Sequence, residues 1–367
     1  MFRMPIPARL LADSSALSAL AILVAQLAPA RVRGSPPPGV TRRAVDELRA
    51  DLYLPSRLPA PGIVLVMGTL REGRRYPLLI SLAESIAACN YAVLVPELGR
   101  LGEMIVGEDA IEDLVASARG LTRQDGVTDA PIGLFGFSLG GGLALLAAAD
   151  DRLERRVACA MSMGGYFSLP DMLVAATTGV LRDQRGMVSL AAPSVFAVAA
   201  SLIASLPGPD RALLRRALDD EPDAPLKAMS RASAQSVGTE ARAVLKLLTN
   251  RDPTAVASLS RNVKVADVML ARLSPESVID RVSVPVWALH DERDGYVPVE
   301  QQRLMRAATA GRRNFRFFTI RLLEHTEPDR APFNPIRFVG DYVPGLFALF
   351  RFARGPLAAV RRAASGL

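Results

Sequence analysis

The stretch GLFGFSLGGG, residues 133–142, places Ser138 at the end of an apolar run and crowds it with Gly136, Gly140, Gly141 and Gly142. APIGLFGF (130–137) has the unbroken apolar character of a fully buried strand. SLGGGLALLAAA (138–149) follows with the character of a helix. Ser138 therefore stands where a strand turns directly into a helix. Glycines two before and two after it remove side chains where the backbone must turn hard or approach another segment.

Outward from this point the chain alternates. GIVLVMG (62–68), YAVLVPE (91–97) and RVACAMSMGG (156–165) are further buried-strand patterns. PLLISLAESIAAC (77–89) and EDAIEDLVASARGL (108–121) have helical spacing, and the second carries its acidic residues early and its arginine late, matching the helix dipole. VDELRADLYLP (45–55) alternates like one strand that ends at Pro55. The rhythm returns with VPVWALHDERDGYVP (284–298), a helix near 299–310 and a strand in NFRFFTIRLL (314–323). Strands separated by helices imply an α/β fold with a mostly parallel central sheet flanked by helices on both faces.

Between 166 and 280 the pattern is helical only. The segment includes GMVSLAAPSVFAVAASLIASLPG (186–208), which is free of charge and nearly long enough to cross a membrane. A single span there would separate strands that must share one sheet. The segment therefore reads as a helical lid insertion over a pocket, with Pro193 at a helix start or kink. Phe196, Ala200 and Ile203 recur at helical spacing and are the expected pocket-lining face. The expected organisation is an N-terminal apolar helix and Pro-rich linker (1–44), the first part of the α/β core (45–165), the lid insertion (166–280), and the second part of the core with a C-terminal helix (281–367).

At the N-terminus, Arg3 and Arg9 precede the apolar stretch 16–28, and Ala-Pro-Ala follows at 28–30. This is the layout of a signal peptide cleaved after Ala30. Asp13, Arg31 and Arg33 interrupt that layout, so an uncleaved anchor and a simple docking helix remain alternatives, and export, membrane association and a cytoplasmic location all stay open. GSPPPG (34–39) reads as a stiff linker. The apolar stretch 336–364 reads as a terminal helix with a basic tail, suited to core packing or to a membrane surface.

The chain has 367 residues, half of them hydrophobic, enough for a large core. Its formal net charge of +7 comes with no zinc finger, RNP-like motif or dense basic block, so nucleic-acid binding is excluded as a reading. The basic balance leaves attraction to an anionic membrane surface open. The two cysteines, Cys89 and Cys159, both sit in apolar runs and offer neither a disulfide framework nor a metal spacing. No metal and no organic cofactor is implied, and no feature speaks to the oligomeric state.

Gly136-Phe137-Ser138-Leu139-Gly140 matches G-x-S-x-G in the strand-to-helix context of a nucleophile elbow. The helix start would place positive partial charge and free N–H groups beside the hydroxyl. A serine nucleophile needs a base, and the chain holds two histidines, His290 and His325. His290 ends a strand, upstream of any suitable acid. His325 follows the last sheet strand, where loops at the carboxyl ends of parallel strands gather a site, and is the better base. The orienting carboxylate is expected at Asp294, with Asp291 as the alternative.

With GIVLVMGTLREG, YAVLVPE, GFSLGG, LHDERDGYVP and EHT in view, the chain resembles the α/β-hydrolases of the esterase and dienelactone-hydrolase-like group, over about 50–165 and 280–335. The resemblance implies Ser138 as nucleophile, His325 as base and Asp294 as acid. It also implies an oxyanion hole from the backbone N–H groups of Leu139 and Thr69, with Leu70 as the alternative second donor. The chain departs from the group's pattern in three places. Met67-Gly68 stands for the usual His-Gly, Asp291 for the usual glycine after His290, and Glu324 for the glycine before the catalytic histidine. Dienelactone hydrolases proper carry a cysteine nucleophile, so that substrate is not implied.

The resulting expectation is a serine hydrolase that cleaves a small or medium apolar carboxylic ester through an acyl-enzyme. The alternatives are acyl transfer, thioester or peptide cleavage on the same fold, and a catalytically inactive binding protein.

Overall fold

Alternation decides which face each strand residue serves. In β3 (Gly62–Val66), Ile63 and Leu65 enter one apolar core while Val64 and Val66 enter another on the opposite face. In β5 (Ile132–Phe137), Phe135 and Phe137 join the first core and Leu134 the second. A strand packed on both sides has no polar face to show, which is why these runs read as unbroken apolar sequence. The computed structural model describes residues 36–181, 188–233, 236–263, 269–325, 327–328 and 341–366, and the N-terminal apolar stretch lies outside them.

The sheet has eight strands: β1 (Val40–Val45), β2 (Ala50–Pro55), β3, β4 (Ala92–Pro96), β5, β6 (Val157–Met163), β7 (Val286–Asp291) and β8 (Phe315–Ile320). Their order is β1-β2-β4-β3-β5-β6-β7-β8. Only β2 runs against its neighbours, pairing antiparallel with β1 and β4, and every pair from β4 through β8 is parallel.

The single strand expected over 45–55 is instead the second half of a hairpin. Asp46–Leu48 form a 3-10 turn, and Arg49 takes a left-handed conformation (φ 47°) that reverses the chain from β1 into β2. Apolar alternation persists through such a turn, so the pattern alone could not mark the break.

On one face lie α1 (Pro77–Ala88) and α11 (Val343–Ala364); on the other lie α2 (Glu108–Leu121) and α3 (Leu139–Ala148). By length and composition α11 could cross a membrane, yet Leu349, Phe352, Leu357 and Val360 are buried in the core beneath it. Tyr91 donates its hydroxyl hydrogen bond to the Leu357 carbonyl at 2.8 Å, tying α11 to the start of β4.

Between β6 and β7 the chain forms helices: α4 (Leu169–Thr178), α5 (Ala192–Ala204), α6 (Gly208–Asp220), α7 (Pro225–Ala232), α8 (Thr239–Thr249) and α9 (Pro253–Asn262). Pro193 lies in the first turn of α5, where its missing N–H leaves no helix bond unmade. After β7 come α10 (Glu300–Ala308), β8, and a short antiparallel pair, β9 (Leu323–Glu324) with β10 (Glu327–Pro328).

Candidate active site

The strand-to-helix turn at Ser138 is as tight as its glycines imply. Ser138 adopts φ 54°, ψ −133°, a conformation that side-chain-bearing residues rarely take. Its N–H is held by the Met163 carbonyl at 2.8 Å, and its own carbonyl accepts from Gly141 N–H at 2.8 Å. A methyl group on Gly136 would collide with the Gly140 carbonyl, and one on Gly140 would stand 2.6 Å from the Val66 carbonyl oxygen. Glycine at both positions is thus a matter of space. The turn delivers Ser138 to the N-terminus of α3, whose first N–H groups have no partner within the helix.

Asp294 and His325 stand at the same end of the sheet, in the loops after β7 and β8. His325 sits in the turn between β9 and β10 in a left-handed conformation (φ 63°), and its Nδ1 lies 2.7 Å from Asp294 Oδ2. A carboxylate only accepts, so Nδ1 carries the proton and Nε2 is left as the basic atom of the neutral ring. The Asp294 side chain is fully buried and that of His325 is 10% exposed. Burial alone pushes the Asp294 carboxyl up. Hydrogen bonds from His290 and His325 outweigh it and hold the group well below the usual carboxylate range. Asp294 Oδ1 in turn accepts from Tyr296 N–H at 2.8 Å and Val297 N–H at 2.9 Å.

Asp291, the alternative acid, is committed elsewhere. It accepts from Arg293 N–H at 2.8 Å and from Leu322 N–H at 2.6 Å, which fastens the end of β7 to the chain leaving β8.

Three neighbours surround this pair; sequence reasoning weighed His290 only as a base and passed over Tyr296 and Gly164. His290 is 1% exposed; its Nε2 lies 2.7 Å from the Val297 carbonyl and 3.4 Å from Asp294 Oδ2. Since a carbonyl can only accept, that nitrogen carries a proton. The i, i+4 relation to Asp294 was available in the sequence, but the strand assignment of His290 hid it. Tyr296 stacks on the His325 ring, centroids 4.8 Å apart and planes 22° from parallel, and no spacing rule points to it. Gly164, after β6, brings its backbone against both Asp294 and His325.

Two cavities meet at Ser138. The wider, of about 400 Å³, is lined by Met67, Gly68, Thr69, Leu70, Arg71 and Glu72, with Tyr76, Tyr296 and His325 across from them. The narrower, of about 70 Å³, is lined by Leu139, Val106, Met172, Leu273 and Val297, and by Ala197, Val198, Ser201 and Leu202 from α5. Thr69, Ser138 and Ser194 border both. Leu70 borders only the wider one, and Leu139 only the narrower.

The expected pocket-lining face of α5 is corrected here. Phe196, Ala200 and Ile203 are at most 2% exposed and belong to the apolar core, not to the lining of either cavity. The helix is apolar all round, so its period fixed a stripe but not which stripe met the cavity. The large Phe196 and Ile203 fill the core. The stripe of Ser194, Ala197 and Ser201 leaves the gap beside Ser138. Among the described residues no group of three or more His, Cys, Asp or Glu side chains is arranged to hold a metal ion.

No family model and no curated protein matches the sequence. Solved structures similar to it include 2,6-dihydroxy-pseudo-oxynicotine hydrolase, at 16% identity and TM-score 0.46 over 88% of this chain and 69% of that one. Esterase B from Lactobacillus rhamnosis shares 14% identity at TM-score 0.46, over 99% of this chain and all of that one. Est1E from Butyrivibrio proteoclasticus shares 15% at TM-score 0.45, over 86% and 96%. The assignment of the fold rests on the chain itself: one antiparallel strand at position two, six consecutive parallel strands, and a serine at the sharp turn from β5 into a helix. By that architecture the chain has the α/β-hydrolase fold.

Proposed function

We propose that the protein is a serine hydrolase of carboxylic esters, with Ser138 as nucleophile, His325 as general base and Asp294 as the orienting acid. The observation that carries this reading is the shared cavity: Ser138, strained at a helix N-terminus, and His325, its Nδ1 bound to buried Asp294, line the same space. In this reading His325 Nε2 takes the Ser138 proton as Oγ attacks the acyl carbon. Asp294 fixes the tautomer and stabilises the imidazolium. The N–H groups of Leu139 and Thr69 receive the developing oxyanion, each such donor being worth about 3 kcal/mol in the transition state. Water entering through the wider cavity then releases the acid.

The chain divides in the same reading into a catalytic unit made from 45–165 and 281–367 and a helical cap, 166–280, that works as a lid over the acyl side. The substrate is a small-molecule ester.

A fluorophosphonate probe tests the proposal, because only an activated serine reacts with it. The wild-type chain should label and should hydrolyse p-nitrophenyl butyrate. Ser138→Ala, folded by circular dichroism, should do neither. Near-wild-type turnover by that variant would remove Ser138 from the mechanism.

A further inference from the structure

We infer that the two cavities meeting at Ser138 are the acyl and leaving-group arms of one ester site, selecting a short apolar acid joined to a bulky polar alcohol. The inference rests on the serine-hydrolase reading above and goes beyond it by assigning each half of the substrate.

Proton flow fixes which arm is which. In acyl-enzyme formation a bond forms between Ser138 Oγ and the acyl carbon, and the serine proton passes to His325 Nε2. The bond from acyl carbon to alcohol oxygen then breaks, and that oxygen takes the proton back from Nε2. The alcohol must therefore leave on the histidine side. His325 and Tyr296 line the wider cavity and not the narrower one. Leu139, whose N–H faces the oxyanion in this mechanism, lines the narrower cavity and not the wider. The acyl chain accordingly runs into the narrow arm beneath α5.

Size and chemistry differ between the arms. The narrow arm holds about 70 Å³, less than half of the ~150 Å³ apolar cavity that accommodates benzene. Past Thr69, Ser138 and Ser194, which it shares with the wide arm, its polar wall groups are already used. Ser201 donates its hydroxyl to the Ala197 carbonyl at 2.6 Å and accepts from Val106 N–H at 2.9 Å. Tyr166 donates to the Leu273 carbonyl at 2.7 Å. A polar acyl group would lose its hydration there with no partner in return. The wide arm, about 400 Å³, carries Arg71, Glu72, Tyr76 and Tyr296. The Arg71 guanidinium lies 5.7 Å from the centroid of the Phe196 ring. That ring belongs to the core and lines neither arm, so the guanidinium packs on it from the wide side.

The experiment is a two-sided ester series on the full chain. On the acyl side, p-nitrophenyl acetate, butyrate and octanoate are compared; on the alcohol side, methyl butyrate and 6-O-butyryl glucose. Octanoate should fall at least tenfold below butyrate in kcat/KM, and the glucose ester should exceed the methyl ester at least tenfold. Leu202→Ala, which lengthens the narrow arm, should raise the octanoate-to-acetate ratio at least tenfold without moving the glucose-to-methyl ratio. Arg71→Ala should lower the glucose-to-methyl ratio and leave the acyl ratio alone. A fluorophosphonate-labelled, active enzyme that prefers octanoate, or in which Leu202→Ala moves the alcohol ratio instead, overturns the assignment while the hydrolase reading stands. An enzyme that neither labels nor cleaves any ester overturns both. Should Leu202→Ala fail to fold, Val198→Ala in the same wall gives the same readout.

Discussion

Asp294 gathers two backbone N–H groups on Oδ1 and the His325 ring on Oδ2, with His290 Nε2 3.4 Å from the same oxygen. The two histidines are what depress its titration against the push of burial. A carboxyl whose folded value is depressed stabilises the fold above its unfolded value, about 3.9, and loses that contribution as pH falls through the folded value. Asp294→Asn should therefore be less stable than wild type by a constant margin at pH 6–8, with the margin closing below about pH 4, as urea unfolding followed across pH would report. An amide also offers the histidine the wrong partner, so turnover at neutral pH should drop by about 10⁴-fold, measured as kcat on p-nitrophenyl butyrate. In the proposed mechanism His290 acts through this carboxylate and through Val297, as a positioning residue. His290→Ala should lower kcat at least tenfold with KM little changed, and His290→Gln, which can still donate to the Val297 carbonyl, should recover part of the loss. Sequence position ranked Asp294 ahead of Asp291 but could not show what Asp291 binds instead. That partner is the Leu322 N–H, brought from the chain leaving β8. The two histidines were ranked by position along the chain, which cannot show that both converge on one oxygen.

The elbow is legible at the scale of an element because three demands coincide in a few residues: a buried strand, an abrupt turn and a helix start. Gly140 shows how little slack remains. A Cβ there would press on the carbonyl oxygens of Val66 at 2.6 Å and Met67 at 2.9 Å, the backbone that leads into Thr69. Gly140→Ala should cost about 1–3 kcal/mol of stability, as overpacking does, and, with the proposed oxyanion hole, should lower kcat by displacing Thr69. Urea midpoints and kcat on one preparation would report both effects. The helix α5 was legible in its start at Pro193 and in its period, and illegible in its rotation. A helix apolar on every side gives no sign of which stripe faces a cavity, because the cavity is defined by residues far away in sequence. The β1–β2 hairpin escaped for a related reason. Its strands meet through a turn of three ordinary residues and Arg49, with no glycine or proline to mark it.

For the whole molecule, the alternation of strand and helix specified the layers, while the order of strands came from pairing that local pattern cannot express. β3 sits between β4 and β5, so the chain crosses back over itself before advancing to β8. The face opposite the helices α2 and α3 is closed largely by α11, through Leu349, Phe352, Leu357 and Val360. Phe352→Ala should remove about 3–5 kcal/mol, the usual cost of emptying a buried phenylalanine site. It should do so with kcat per folded molecule unchanged, since Phe352 lines neither cavity at Ser138. A lower urea midpoint at unaltered slope, beside unaltered turnover at low denaturant, is the expected result. The hydrogen bond from Tyr91 to Leu357 joins residues 266 positions apart. On a ribosome adding about 5–20 residues per second, the second partner follows the first by roughly 10–50 s. By the end of that interval β5, β6, β7 and β8 have all been made, and the apolar face they share stays bare until α11 follows.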